Sequence, residues 1–214
     1  WSVTPLPQSW TLQGFMENQD LSAMATSDGR HCLVGADEQH FVQLGVVDRE
    51  TQVVRAGAVI PLGLAPAGGK KTEIDIEGIA VDSQRGFYYV TGSHGVGKKK
   101  GDLQPARFGL FRVPVDPSTK LPDASGVATG NLLAWLEKSP RFAAHFGRPL
   151  QQGGFNIEGV AFQDGKLFFG VRGPNVGGRA FVIEAAEATL FGGGALSPVV
   201  HELELGDGRG VREL

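Results

Sequence analysis

Two glutamates occupy matching positions in two copies of one short motif. Glu77 is the third residue of DIEG, which begins at Asp75, and Glu158 is the third residue of NIEG, which begins at Asn156. A pair of carboxylates can bind a hard divalent cation such as Ca²⁺, which takes oxygen ligands. The same pair can serve as acid and base in a hydrolysis. Both chemistries require a fold that brings these two distant segments together.

Weaker copies of the motif place other side chains at the same position. DLSA, from Asp20, has Ser22 there, and GVRE, from Gly210, has Arg212. If this is the start of an innermost strand, the four side chains converge at one mouth of a central channel. Residues at the end of the following strand form a second set near an adjacent level. The candidate site therefore consists of Glu77, Glu158, His94, Arg172, Ser93, Asp37 and Arg212, with Glu77 and Glu158 as the metal ligands.

The same residue types also allow a purely structural interpretation. The alternative is that Glu77, Glu158, Arg172 and Arg212 neutralise one another in a structural network that ties neighbouring repeats together. A binding site and a structural network both fit the sequence, and they predict different effects of removing Glu77 or Glu158.

The repeats that carry these residues predict the architecture. Each copy is followed, after a short turn, by further apolar runs rich in Val, Phe, Tyr and Leu and bounded by Gly, Asp and Asn, which is typical of strands. Tandem units of four strands are blades of a β-propeller. We therefore expect an all-β chain, with residues 1–214 forming one β-propeller. The predicted blades span about residues 20–74, 75–155 and 156–209, and the start of another spans residues 210–214.

The first copy shows the predicted blade most clearly. Its strands cover residues 22–26, 31–36, 41–47 and 52–60, separated by turns such as Ser27-Asp28-Gly29. The second and third copies follow the same order, although the fourth strand of the second copy is less clear.

The second copy is longer than the others. We place an insertion at about residues 117–153, with a short amphipathic helix that Asn131 caps and that ends before Pro140. This helix either shapes the rim of a pocket or covers a sheet edge. Residues 95–107 lengthen a hairpin and form either a solvated loop or a lid that contacts an anion.

The final residues, GVREL, resemble the opening of another copy. A propeller closes with typically four to eight blades, and an open array exposes strand edges. The sequence therefore predicts about three blades plus the start of a fourth, in a truncated or incomplete propeller.

Composition excludes some classes of partner. The formal net charge of −3 gives no electrostatic basis for binding nucleic acid, and no run of about 18 apolar residues predicts a membrane span. The single cysteine, Cys32, lies on a predicted buried strand, which favours a packing role. No cofactor is certain, and the candidates are Ca²⁺ or another divalent cation. A small-molecule or protein partner is not identified by these features.

The repeated motifs resemble a known family. DLSAMATSDGRHCLVGADE, DIEGIAVDSQRGFYYVTGSHG, NIEGVAFQDGKLFFGVRGP and GVREL are similar, in order, to the blade motifs of the bacterial domain of unknown function 3616. The resemblance implies a propeller with more β-sheet after Leu214 and no established activity. The compartment is unknown, with the bacterial cytoplasm and the periplasm as the two candidates. The Glu-Gly strand is also similar to that of esterase-like phytase propellers and, more distantly, of metal-dependent lactonases and phosphotriesterases. The first copy departs from the family pattern at Gln39-His40, which weakens a ligand role there.

Three functions are compatible with these features. The first is binding of a small ligand or divalent cation at the channel mouth. The second is metal-dependent hydrolysis of an ester or phosphoester, in which Glu77 and Glu158 hold the cation while His94 and Arg172 contact an anionic group. The third is a protein-interaction scaffold. A propeller fold alone does not choose among them.

Overall fold

The computed structural model describes residues 9–17, 19–63, 73–97 and 103–214. The described strands and α-helices, in chain order, are β1 (Thr11–Gln13), β2 (Leu21–Thr26), β3 (His31–Ala36), β4 (Phe41–Asp48), β5 (Val53–Pro61), β6 (Ile76–Asp82), β7 (Phe87–Gly92), β8 (Leu110–Pro114), β9 (Ala128–Gly130), α1 (Leu133–Leu136), β10 (Asn156–Gln163), β11 (Lys166–Val176), β12 (Arg179–Ala186), α2 (Glu187–Gly192) and β13 (Val199–Glu204). No helix among the described residues is both long and apolar enough to span a bilayer.

The strands form three separate sheets. Their orders are β1-β5-β4-β3-β2, β6-β7-β8-β9 and β10-β11-β12-β13, and each sheet contains one four-stranded antiparallel meander. The first strands of the meanders, β2, β6 and β10, are edge strands, and β6 contacts both β2 and β10. The chain is thus an all-β array of propeller blades, as predicted, with β2, β6 and β10 innermost. β1 was not predicted, and it adds a fifth strand parallel to β5.

Alternating side chains on the blades form the core. On β7, Tyr88 packs into the apolar cluster between the first and second blades, while Tyr89 packs into the cluster between the second and third. Neighbouring residues of a strand point to opposite faces of the sheet, so one strand fills both interfaces. The first blade repeats this arrangement, because Leu33 faces the second blade and Cys32 faces the opposite side. Burial also raises the pKa of the Cys32 thiol to about 11.

The insertion in the second blade contains the predicted short helix, although it does more than the sequence indicated. The Asn131 side chain accepts a hydrogen bond from the backbone N–H of Ala134 at 3.3 Å, in the first turn of α1. The fourth strand of this blade, β9, lies inside the range predicted as insertion. Phe142 is fully buried, and its ring contacts those of Phe155 and Phe181. The insertion therefore completes the second blade and contributes to the core.

A charged cluster links the second and third blades near the β6–β7 turn. Glu187, which begins the unpredicted helix α2, is only 3% exposed. Its carboxylate accepts hydrogen bonds from Arg85 Nη1 at 3.2 Å and from Arg112 Nη1 at 2.5 Å. The Arg112 guanidinium also lies 4.8 Å from the centroid of the Phe87 ring, within the range of a cation–π contact. This cluster joins the blades on the side away from the Glu77 motif.

Candidate functional site

A β-bulge lies at the same point in each of the three innermost strands. The pairing of β2 with β3 shifts register between Leu21 and Ala23, which leaves Ser22 as the extra residue. The pairing of β6 with β7 shifts in the same way around Glu77, and that of β10 with β11 around Glu158. Bulges redirect a side chain and are frequent next to functional sites. The repeat therefore presents one redirected side chain per blade, a serine in the first blade and a glutamate in the second and third.

Close approach of the inner strands brings these bulges together. A Cβ atom on Gly78 would lie 2.9 Å from the backbone nitrogen of Val160, so only glycine fits there without a shift. Between the first two blades, the Ser22 hydroxyl donates a hydrogen bond to the carbonyl oxygen of Ile76. Ser22, Glu77 and Glu158 consequently line one shallow pocket of about 210 Å³, which we call the mouth pocket.

Glu77 is the predicted metal ligand that lacks an ion pair among the described residues. Its side chain is half-buried, and within the described part of the chain it has no hydrogen bond or ion pair. Burial raises the pKa of Glu77 to about 8, and the negative charges of Asp75, Asp37 and Glu158 add to this increase, while Arg172 opposes it. A carboxylate in this state holds a proton near neutral pH and releases it when a positive charge approaches.

Glu158 has the opposite surroundings, although it occupies the equivalent bulge. Its side chain is 10% exposed and pairs with Arg172 through one oxygen, while Arg212 Nε lies 3.2 Å from the other. The predicted network of arginines and glutamates is thus present around Glu158 and does not extend to Glu77 among the described contacts. The two predicted metal ligands are unequal, since both oxygens of Glu158 already face guanidinium groups.

The second predicted set of residues is only partly near the mouth. Asp37 lies close enough to raise the pKa of Glu77. Ser93 and His94 are 0% and 1% exposed, and neither lines the mouth pocket. Instead, the Ser93 carbonyl accepts a 2.7 Å hydrogen bond from the backbone N–H of Ile157, which links the second blade to the third.

Burial also determines the chemical state of His94. Its Nδ1 lies 3.0 Å from the Gly92 carbonyl oxygen, while Nε2 is buried without a partner among the described residues. Burial lowers the pKa of His94 to about 4, so the ring is neutral at physiological pH. This environment does not match the predicted contact of His94 with an anionic group at the channel mouth.

The chain matches the model of one protein family over most of its length. The matched residues are 20–107 and 119–213, and the family is described as a protein of unknown function (DUF3616). The chain belongs to the DUF3616 family. The match begins at the first motif copy and covers the bulges at Ser22, Glu77 and Glu158. The motif similarity to esterase-like phytase propellers stays a prediction, and no curated protein is significantly similar in sequence to this DUF3616 chain.

Solved structures similar to this DUF3616 chain have low sequence identity to it. The structure of U3-55K is 14% identical, with 94% of this chain and 43% of that one covered and a TM-score of 0.45. The WD40 beta propeller domain of Doa1 is 12% identical, with 90% and 43% covered and a TM-score of 0.42. Kuenenia stuttgartiensis hydrazine synthase is 13% identical, with 94% and 41% covered and a TM-score of 0.45. The chain spans less than half the length of these proteins.

One charged group beside the site was missed in the sequence. Arg107 lies in the segment predicted to be a solvated loop or a lid, yet it is only 8% exposed. Its guanidinium donates to Asp75 at 2.6 Å and also pairs with Glu73. Asp75 is the first residue of the repeated motif and precedes a buried strand. An acidic residue in that position could have indicated from the sequence that a cationic side chain lies nearby. Residues 98–102 of the same segment lie outside the described residues.

The acidic side chains near the mouth do not form a ready-made metal cage. Across the described ranges, no group of three or more His, Cys, Asp or Glu side chains is arranged to hold a metal ion. Asp75 is neutralised by Arg107, and Glu158 by two arginines. Of the two predicted metal ligands, Glu77 is therefore the one without an ion pair in the described part of the chain.

Proposed function

We propose that this DUF3616 propeller binds a small cation at its channel mouth, with Glu77 as the main ligand, and that a divalent metal ion is the first candidate. The observation that carries the proposal is the half-buried Glu77 carboxylate, which faces the mouth pocket at a β-bulge without an ion pair among the described residues. A bound cation would replace the proton on Glu77 and compensate the charge of the ionised carboxylate.

The ligand chemistry favours a partly hydrated ion. Ca²⁺ takes six to eight oxygen ligands, whereas Mg²⁺ usually keeps several waters and binds through one or two carboxylates. Glu77 can supply one carboxylate, and the Ser22 hydroxyl lines the same pocket. Water molecules would fill the remaining positions. This arrangement also makes binding compete with the proton on Glu77, because the pKa of that carboxyl is about 8.

Calorimetric titration of the chain with CaCl₂ and, separately, MgCl₂ tests this proposal. We expect binding that is tighter at pH 8.5 than at pH 6.5, since the metal displaces the Glu77 proton. Glu77→Gln should weaken binding at least tenfold, because the amide keeps the shape and loses the charge. Glu137→Gln, which changes an exposed glutamate on the insertion, is the matched control and should bind as the unaltered chain does.

Three results would contradict the proposal. One is the absence of binding heat with either metal ion, another is equal affinity in the Glu77→Gln chain, and the third is an equal loss in Glu137→Gln. Replacing the metal salts with an organic ammonium ion in the same titration identifies the other kind of small cation that the carboxylate can recognise.

The other two functions have weaker support. The hydrolase hypothesis used His94 together with the carboxylates, and the His94 ring is buried outside the mouth pocket. The scaffold hypothesis depends on no particular side chain of the mouth. Cation binding is therefore the function that the geometry of Glu77 supports best.

A further inference from the structure

A second pocket lies on the other side of the Arg172 and Arg212 side chains. Its volume is about 470 Å³, and its walls come from the insertion at Leu150 to Gly153, from the end of β11, and from residues 208–212. We call it the arginine pocket. Glu77 and Glu158 do not line it, whereas Arg172 and Arg212 do. It is therefore distinct from the mouth pocket.

The walls of the arginine pocket are held in place by close backbone contacts. The Val211 N–H donates to the Val171 carbonyl oxygen at 3.0 Å, and a Cβ atom on Gly210 would lie 2.0 Å from the Arg172 carbonyl oxygen. The Asn175 amide donates to the carbonyl oxygens of Gly206 and Arg209, at 2.9 and 2.8 Å. These contacts fix residues 206–212 against the end of β11, so the pocket is built into the fold.

The charge balance of this region favours an anion. Two guanidinium groups share the single Glu158 carboxylate: Arg172 donates a hydrogen bond through Nη1, and Arg212 Nε lies 3.2 Å from the other oxygen. Each guanidinium has further N–H donors, and no other partner of either group is found in the described part of the chain. The Arg172 side chain is 33% exposed and that of Arg212 is 67% exposed, so solvent or a ligand reaches these donors.

The remaining lining residues agree with this charge. They contain no aspartate or glutamate, and Gln151 offers an amide that can donate a hydrogen bond. Glu158 has a second effect, because pairing with one carboxylate orients both guanidinium groups. A guanidinium that is already oriented loses less side-chain entropy when it binds a ligand.

We propose that the arginine pocket binds the oxyanion group of a small ligand, a phosphate or a carboxylate, through Arg172 and Arg212. Arginine matches both groups because its planar fork donates two parallel hydrogen bonds. The site uses different side chains and a different pocket from the proposed cation site at Glu77. The DUF3616 propeller then carries two sites of opposite charge preference, separated by the Glu158 carboxylate.

Calorimetric titration of the chain with inorganic phosphate, and separately with malonate, tests this inference at low ionic strength. We expect binding of at least one of the two anions. Arg212→Gln and Arg172→Gln should each weaken it about tenfold or more, because each removes charge-assisted hydrogen bonds. The matched control is Arg209→Gln, which changes an exposed arginine in the same loop that does not line the pocket. Its affinity should stay within twofold of the unaltered chain.

The results show whether the arginine pocket binds an anion and which type of anion it prefers. Binding of phosphate alone points to a phosphorylated ligand, and binding of malonate alone points to a carboxylate ligand. No binding of either anion, or an equal loss in Arg209→Gln, would overturn the proposal. If Arg172→Gln fails to fold by circular dichroism, the more exposed Arg212→Gln decides the matter, and unchanged affinity in that variant also overturns it. Glu77→Gln should leave anion binding intact, which separates this test from that of the cation site.

Discussion

Two glutamates at the boundary between the second and third blades have opposite environments. Glu187 is almost fully buried and accepts hydrogen bonds from Arg85 and Arg112. Glu77 is half-buried near the other end of the same interface, and it has no ion pair among the described residues. The first arrangement stabilises the contact between blades, whereas the second makes ionisation of the carboxyl unfavourable.

The comparison shows how to separate structural charges from candidate site charges in this fold. A buried carboxylate is tolerated when hydrogen-bonded cations surround it. Glu158 lies between the two extremes, because it pairs with two arginines that are themselves partly exposed. We call the end of the interface that contains Glu187 the closed end. The mouth differs from the closed end because the equivalent bulges there carry Ser22, Glu77 and Glu158 in different surroundings.

The largest expected effect is at the closed end. Glu187→Gln removes the charge that Arg85 and Arg112 share, and we expect a loss of about 2–4 kcal/mol in the free energy of unfolding, since breaking a buried charge network is costly. Urea denaturation followed by circular dichroism measures it. The control, Glu137→Gln, should change stability by less than about 0.5 kcal/mol. An effect of Glu187→Gln as small as that of the control would show that Glu187 does not stabilise the contact between the blades.

A smaller effect is expected where the inner strands meet at the mouth. Gly78→Ala places a Cβ atom 2.9 Å from the Val160 backbone nitrogen, so one strand must shift, and we expect a loss of about 1–3 kcal/mol. Gly192→Ala is the matched control, because nothing lies within 4 Å of its added Cβ. Thermal unfolding of the two variants should give a lower midpoint for Gly78→Ala only. Equal midpoints would show that the approach of β6 and β10 is not constrained at this glycine.

The third prediction concerns the pH dependence of Glu77. The carboxyl has an ordinary pKa of 4.5 in the unfolded chain and about 8 in the folded one. Between these values the unfolded chain releases the proton first, so the free energy of unfolding falls as pH rises, and the cost is complete above about pH 8. Glu77→Gln should therefore raise the unfolding midpoint by a few degrees at pH 9 and hardly at all at pH 4.5.

Calorimetric scans at these two pH values test the prediction, with Glu137→Gln as the control for general charge effects. A midpoint difference that is the same at both pH values would mean that folding does not change the pKa of Glu77. In that case, Glu77 and Glu187 would differ only in their ion pairs and hydrogen bonds, and not in how folding changes the pKa of Glu77.

The smallest effect on stability is expected for Arg212→Gln. The Arg212 side chain is 67% exposed, and exposed ion pairs typically contribute about 0–1 kcal/mol. We expect a change below about 0.5 kcal/mol in urea denaturation, even though the same substitution should weaken anion binding. A loss of 2 kcal/mol or more would assign Arg212 to the structural network around Glu158 instead of to a ligand pocket.

Much of the fold follows from local sequence patterns. Alternating apolar residues and Gly/Asp turns located the four strands of the first blade, and the spacing of DIEG and NIEG identified equivalent strands in successive blades. The short helix begins at Leu133, two residues after the predicted cap Asn131, whose side chain accepts a hydrogen bond from the Ala134 N–H. The strand β1 was missed because three exposed residues that pair in parallel with β5 have no alternating pattern of their own. The helix α2 was missed because it is a short element in the connection between two predicted strands.

The candidate site was predicted less completely, and the reason is three-dimensional. The sequence by itself determined that Ser22, Glu77 and Glu158 are equivalent, because repetition is a property of the chain. Only the tertiary structure decided that Glu158 receives both arginines, that Glu77 receives none among the described contacts, and that His94 is buried. The charge state and availability of a side chain depend on burial and on partners from other blades. Those partners are far apart along the chain and meet only when the blades pack.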